Sequence, residues 1–394
     1  MPPDKLAKAI TLSRWRAALY FGDTVWVLLA LGILIKTGTG IRVVKLSRRL
    51  SVRPWLQGLI AAPIWLIILN LLELPAALTG HHVSLEYGLS IEAWPAWWMD
   101  WVKSTVLLVA FGALVLEALF ALMRHSPRRW WLWFWIVALP VEVIVVFLAP
   151  IVIDPLFNHF QPLAKTDPAL VDQLERVAAK GGLDIPPNQI FLMDASRRVT
   201  GPNAYVTGLG ASKRIVVWDT TLHLESPPEI LFTYGHEQGH YVLHHVAKGI
   251  AFSAPLLLAF FWITFAVLNW TTNHYRAAGS LGNWNSVGLV LFLAIALSFL
   301  ADPIANAFSR RIEHQADVYG QEVIHGLVPD PQATAAGSFC HDAQLWLDNP
   351  APNRVVEFWT YSHPSTEQRA EFAADYNPWL PGRHPQYFSG QGDQ

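Results

Sequence analysis

His236, Glu237 and His240 form the pattern His-Glu-x-x-His within TYGHEQGHYVLHH, residues 233–245, which holds four histidines and a glutamate in thirteen positions. Residues four apart on an α-helix lie about 40° out of line and about 6 Å apart along the axis. Two imidazoles so placed reach one metal ion, and zinc accepts histidine nitrogens at about 2.0–2.1 Å. Glu237 falls on the adjacent flank, where it can serve as general base toward water at an open coordination position. The helix is signalled by Ser226-Pro227-Pro228-Glu229: a serine cap, proline at the first helical position, and a glutamate that completes a capping box. Its end is expected near Gly249.

A third ligand must come from elsewhere. His244, eight residues after His236, would need the helix to bend sharply, and the glycine that permits such a turn in three-histidine sites is replaced by Leu243. His244 and His245 are therefore expected at the interface or behind the ligands. The stretch SRRIEHQADVYG, residues 309–320, offers Glu313 and Asp317 on one helical face. Glu313 can complete a His/His/Glu set with water in the fourth position, and Asp317 can accept the second ring proton of a ligand histidine. Alone, the pair reads as a solvated carboxylate face beside Arg310 and Arg311. The ligand reading depends on the chain bringing the two segments together.

Composition dictates how that happens. Of 394 residues, 53% are hydrophobic and 15% charged, with nineteen tryptophans, whereas soluble domains carry about 25% charged residues. A bilayer core is crossed by about 20 apolar residues, and six candidate spans fall at roughly 18–36, 56–78, 102–123, 130–152, 250–270 and 286–306. A net charge of −2 gives no reason to expect a nucleic-acid partner, and the single Cys340 excludes an internal disulfide framework or a cysteine-based metal site. No cleavable signal peptide is expected, because the first apolar run is too long and lacks a small-residue cleavage site.

The predicted fold class is thus mainly α: a multi-span helical membrane protein with a split α+β metallopeptidase-like domain. Four divisions follow: 1–153, a membrane domain of four spans; 154–249, short strands and the His-Glu-x-x-His helix; 250–306, a transmembrane hairpin; and 307–394, the part carrying Glu313. In the second division, residues 169–183 read as an amphipathic helix, and QIFLMDA and KRIVVWDT as strands around a turn-rich stretch. Two spans return the chain to the side it left, so the hairpin puts Glu313 on the same side of the membrane as His236 and His240.

With these motifs assembled, the chain resembles the type I CAAX prenyl proteases, membrane-embedded zinc metallopeptidases. The resemblance rests on GHEQGHYVLHH, on SRRIEHQAD, on NAYVTGLGASKRIVVWDTTL (203–222), on YSHPSTEQR (361–369) and on DPLFNHFQPL (154–163). It covers most of the chain from about residue 150, and the N-terminal spans match loosely. It implies one zinc ion bound by His236, His240 and Glu313, with Glu237 as general base and Asp317 behind the ligands or as proton donor. It further implies that Asn203, Ala204 and Tyr205 lie along an extended substrate, that His363 stabilises the oxyanion, and that Arg369 lies close by at the substrate. Longer members of the family have seven spans around a water-filled chamber. Six are counted here, the first being the one without a counterpart.

Glu73, Glu117 and Glu142 fall inside apolar spans, where they are expected to face an interior cavity or pair with one another. Lysines and arginines crowd the loops after the first and third spans, whereas residues 79–101 contain none. The positive-inside rule then sets the site outside the cytoplasm, although the basic N-terminus argues the other way; the expected location is the inner membrane of a bacterium. The expected partners are the lipid bilayer and a peptide or protein substrate with lipidated, hydrophobic or misfolded character. Two rivals remain open: a zinc- or proton-coupled transporter using the intramembrane glutamates, and a catalytically silent membrane scaffold.

Overall fold

The computed structural model describes residues 1–183, 186–207, 214–274 and 282–388. Among these, six helices are long and apolar enough to cross a membrane, at the six places that hydropathy picks out. The N-terminal region consists of α1 (Pro3–Lys36), α2 (Thr39–Leu50), α3 (Pro54–Glu86), α4 (Trp94–His125) and α5 (Trp130–Leu148). A π-helical turn at Ala149–Ile153 leads from α5 into the short α6 (Asp154–Phe157). α1 begins well before the expected edge of the first span, because residues 3–17 continue its helix out of the apolar run. α2 is too short to span and is amphipathic, burying Val43 and Val44 while Arg42, Lys45, Arg48 and Arg49 stay exposed. Trp65, Phe120, Trp130 and Trp284 fill the core between the spans. Phe120 and Trp284 stack at 4.4 Å, and the Trp284 indole donates to the Pro54 carbonyl at 2.9 Å.

The intramembrane glutamates do not pair with one another. Glu117 takes a 3.0 Å ion pair from Arg124, and Glu142 accepts from the Ser253 hydroxyl at 3.0 Å. Arg124 lies two turns further along α4 itself and Ser253 on the neighbouring α10, and both contacts relieve the cost of a carboxylate among apolar side chains.

Beyond α6 the chain builds a four-stranded sheet from β1 (Phe160–Pro162), β2 (Ile190–Met193), β3 (Ala204–Thr207) and β4 (Arg214–Trp218), in the order β1-β2-β4-β3. β2 and β4 run parallel and the outer pairs antiparallel, so β3 is an edge strand. β2 and β4 are the two strands read from the sequence, whereas β3 falls in the stretch read as turn. Residues 208–213 of the NAYVTGLGASKRIVVWDTTL segment and the end of the C-terminal tail, 389–394, lie outside the described residues. The amphipathic helix is α7 (Pro168–Lys180), capped by Asp167 and burying Leu170, Leu174 and Val177. After β4 come α8 (Asp219–Leu224) and α9 (Pro227–Val242), followed by the membrane hairpin of α10 (His245–His274) and α11 (Val287–Val323). α12 (Pro331–Leu345), α13 (Arg354–Thr360) and α14 (Thr366–Asp375) close the structure. At about 1.5 Å per residue, the 37 residues of α11 exceed the ~30 Å apolar core. Its last turns therefore stand outside the core, and they carry Glu313.

α9 ends earlier than expected. Its last residue is Val242, not one near Gly249, and His244 takes a left-handed backbone (φ 57°) before α10 begins. A continuous helix would turn His245 about 140° away from His240. The break instead brings the two rings together, Nδ1 to Nδ1, at 3.0 Å, and His245 reaches Gln315 on α11 at 3.1 Å. His244 is exposed.

Candidate active site

The site forms where α9 crosses α11 at backbone contact. Gly235 and Gly239 on α9 and Gly320 on α11 make this possible: a Cβ on Gly320 would stand 2.9 Å from the His236 amide nitrogen, and one on Gly235 would stand 2.6 Å from a Val323 methyl. The entry into α9 is fixed by Glu229, whose carboxylate accepts from both the backbone N–H and the hydroxyl of Ser226 at 2.7 Å. This crossing sets His236 and His240 of one helix against Glu313 of the other.

Nε2 of His236 lies 3.2 Å from Nε2 of His240, and Oε2 of Glu313 lies 3.2 Å from the first and 3.5 Å from the second. Four ligands at about 2.0–2.1 Å around a tetrahedral centre stand about 3.3–3.4 Å apart, so the three donor atoms are spaced as three corners of such a centre. A second observation agrees. Glu313 Oε2 is buried and no ring nitrogen is aligned to donate to it, although the His363 Nε2 also lies within 3.1 Å. The donor set, two imidazoles and one carboxylate, is one that zinc accepts. These residues fit a metal ion.

Behind the three donor residues lies a charged support. His236 Nδ1 stands 2.8 Å from Asp317 Oδ1, and Arg369 on α14 donates to both oxygens of Asp317, at 2.6 and 2.9 Å. Burial pulls the His236 imidazole down, but the Asp317 and Glu313 carboxylates outweigh it and push the ring up to about 10. A neighbourhood that so favours a positive charge on the ring also favours a cation at its other nitrogen. Arg369 therefore sits behind Asp317 as well as on the wall of the adjoining cavity.

The remaining expected residues surround the ligand cluster. Glu237 points toward the edge strand, and the Val206 amide donates to its Oε2 at 3.4 Å. Asn203 is anchored on α8, its N–H donating to the Thr221 hydroxyl at 2.8 Å, which in turn donates to the Asn203 carbonyl at 2.7 Å. The Trp218 N–H donates to that same carbonyl, so Asn203 and Tyr205 pair inward with β4, and Ala204 and Val206 turn their N–H and C=O to the outer edge. His363 is about half exposed, with its Nδ1 beside the Ser362 hydroxyl at 2.9 Å. His245 stands behind His240, one of the two places expected for it, whereas sequence reasoning missed α1, whose Arg16 pairs with Asp348 at 3.1 Å beside the site. For the α1 contact, the sequence holds only an unremarkable arginine ahead of an apolar run.

Two family matches divide the chain between them. Residues 164–376 match Peptidase family M48, and residues 1–159 match the CAAX prenyl protease N-terminal family, described as five membrane helices. Four helices long enough to span lie in that N-terminal region here. The chain is similar to a Bacillus subtilis protein named uncharacterized metalloprotease YhfN, at 31% identity over 376 residues, covering 95% of this chain and 86% of that one. It is also similar to CAAX prenyl protease 1 of Saccharomyces cerevisiae, at 30% identity over 274 residues, 64% of this chain and 59% of the relative. Its fold is like that of S. mikatae Ste24p, whose crystal structure superposes with a TM-score of 0.78 at 24% identity, covering 95% of this chain and 89% of that one. The chain belongs to peptidase family M48 and is a multi-pass membrane metalloendopeptidase.

Proposed function

We propose that the chain is a zinc-dependent endopeptidase in which His236, His240 and Glu313 hold the metal and Glu237 is the general base. The observation that carries this reading is the tetrahedral spacing of the three donor atoms, with Glu237 next to His236 in sequence and directed at the edge strand β3. Zinc bound there supplies Lewis-acid activation of water and of the scissile carbonyl. Glu237 takes the proton from the attacking water and returns it to the leaving amine. A substrate strand adds to the outer edge of β3, using the N–H and C=O of Ala204 and the C=O of Val206, with Asn203 and Tyr205 flanking them. His363, at the mouth of the site, offers a ring N–H to the oxyanion. Asp317 orients His236 and is itself held by Arg369, so Arg369 acts through Asp317 as well as facing the substrate.

The peptidase domain is split into 154–249 and 307–394, joined by the hairpin 250–306 and preceded by the membrane domain 1–153. Substrates are peptides with hydrophobic or lipidated ends, or misfolded membrane-associated chains, a choice supported by relatives named for CAAX prenyl proteolysis. The basic residues of α2 and Arg124, Arg128 and Arg129 lie at the ends of spans opposite the site. By the positive-inside rule this supports a site on the extracytoplasmic face of an inner membrane. A transporter reading is weaker, because His236 and His240 lie on a helix outside the spans. The test is proteolysis by the purified protein on a pool of prenylated and unmodified peptides. Cleavage lost in Glu237→Gln and with a zinc chelator is expected; cleavage that survives both contradicts the assignment.

A further inference from the structure

The segment just before β3, together with α9, α12, α13 and the N-terminal part of α1, lines a cavity of about 590 Å3 that reaches His363 and Arg369 at the edge of the donor cluster. Its charged lining consists of Arg16, Glu225, Asp342, Asp348, Arg369 and, when protonated, His363. Both arginines are already engaged: Arg16 pairs with Asp348 at 3.1 Å, and Arg369 grips Asp317 through two bonds. Glu225 and Asp342 remain without a hydrogen-bonded cation. Glu225 is 8% exposed, and its Oε2, like Oδ1 of Asp342, is buried with no hydrogen-bond partner among the described residues. Burial, reinforced by Asp342 and Glu229, pushes the Glu225 carboxyl up to about 8; burial, opposed by Arg369 and His341, pushes Asp342 up to about 6. Acceptors buried without donors are costly to leave so.

The direction of β3 says which part of a substrate reaches this cavity. A strand added antiparallel to Ala204–Thr207 runs its C-terminal side toward Asn203, and Asn203 lies on the cavity wall. Resting on the peptidase reading above, we propose that this cavity is a subsite for a cationic side chain, lysine or arginine, on the C-terminal side of the cleaved bond, held by Glu225 and Asp342. The ammonium or guanidinium brings the donors that the two oxygens lack, while Phe339 and Trp346 on the walls cover its methylene stem. A neutral side chain leaves both oxygens unpaired.

The test uses matched fluorogenic peptides carrying lysine or norleucine at each of the first three positions after the scissile bond. kcat/KM is measured for wild type, Glu225→Gln and Asp342→Asn, and binding of the same peptides to Glu237→Gln is followed by fluorescence anisotropy. A preference of about tenfold or more for lysine is expected at one position, in both cleavage and binding, from charge-assisted hydrogen bonds. In Glu225→Gln and Asp342→Asn the lysine-to-norleucine ratio falls toward one. Both substitutions preserve shape and remove an ionisable carboxyl, so a lowered ratio with an unchanged or raised Tm is not a folding effect. Equal handling of lysine and norleucine at all three positions overturns the subsite, as does a preference that persists in both variants. If wild type cuts none of the peptides, the peptidase reading fails, and the anisotropy decides the subsite by itself: a lysine preference in binding supports it and equal binding overturns it.

Discussion

Replacing Asp317 with asparagine removes one negative charge behind the metal ligands and preserves their shape. Asp317 is 3% exposed, stands 2.8 Å from His236 Nδ1 and accepts both bonds from Arg369. Two measurable quantities should change. Losing the carboxylate that orients a ligand histidine lowers metal affinity by about 10–100-fold. Arg369, whose side chain is 15% exposed, also loses its counter-ion, and breaking a buried pair from one side costs about 3–5 kcal/mol. The new amide carbonyl can still accept one bond, so the lower end of that range applies. Zinc affinity is read by competition with a chromophoric chelator, and stability by thermal unfolding of the metal-free protein. Adding Arg369→Met to Asp317→Asn removes the stranded charge and should restore much of the Tm, but not the zinc affinity. Zinc affinity within twofold of wild type in Asp317→Asn would refute the role given to this carboxylate in the metal site, whatever the Tm does.

Three further outcomes are expected. Glu237→Gln should lower kcat by about 10²–10⁴-fold with zinc content unchanged, read by turnover and metal analysis on the same sample. Gly320→Ala should force α9 and α11 apart, since its Cβ would meet the His236 backbone at 2.9 Å; a loss of about 1–3 kcal/mol with weakened zinc binding is the result, checked by unfolding and chelator competition. Glu225 sits at about 8 against an ordinary 4.5, so the folded protein holds a proton that the unfolded chain releases in that window. Stability should therefore fall as pH rises through it, and Glu225→Gln should flatten that part of a Tm-against-pH curve.

Much of the site was legible because its signals are local and redundant. His236, Glu237 and His240 sit on one helix whose start is written in Ser226 and Glu229, and the apolar hairpin requires Glu313 to return to the same side. Other features depended on geometry that no local pattern carries. The break after Val242 arises from a left-handed His244, and nothing in a run of histidines distinguishes a continued helix from a broken one. β3 was read as turn because its strand is four residues long among Gly, Pro and Asn, and pairing with β4 outweighs that composition. The glycines of α9 and α11 read as weak helix formers in sequence, whereas in the fold they are what lets the helices touch. The reach of α1 into the cavity wall follows from tertiary contact with the loop after α12, where Arg16 pairs with Asp348 and Leu12 shares a core cluster with Leu347, beyond any hydropathy window.

Zinc K-edge X-ray absorption on the purified protein, together with metal stoichiometry, tests the central claim most directly. One zinc per chain is predicted, with only nitrogen and oxygen neighbours at about 2.0–2.1 Å and the multiple-scattering pattern of two imidazoles, reduced to one in His236→Ala. A chain that binds no zinc, or a zinc environment that His236→Ala and Glu313→Ala leave unchanged, would contradict it.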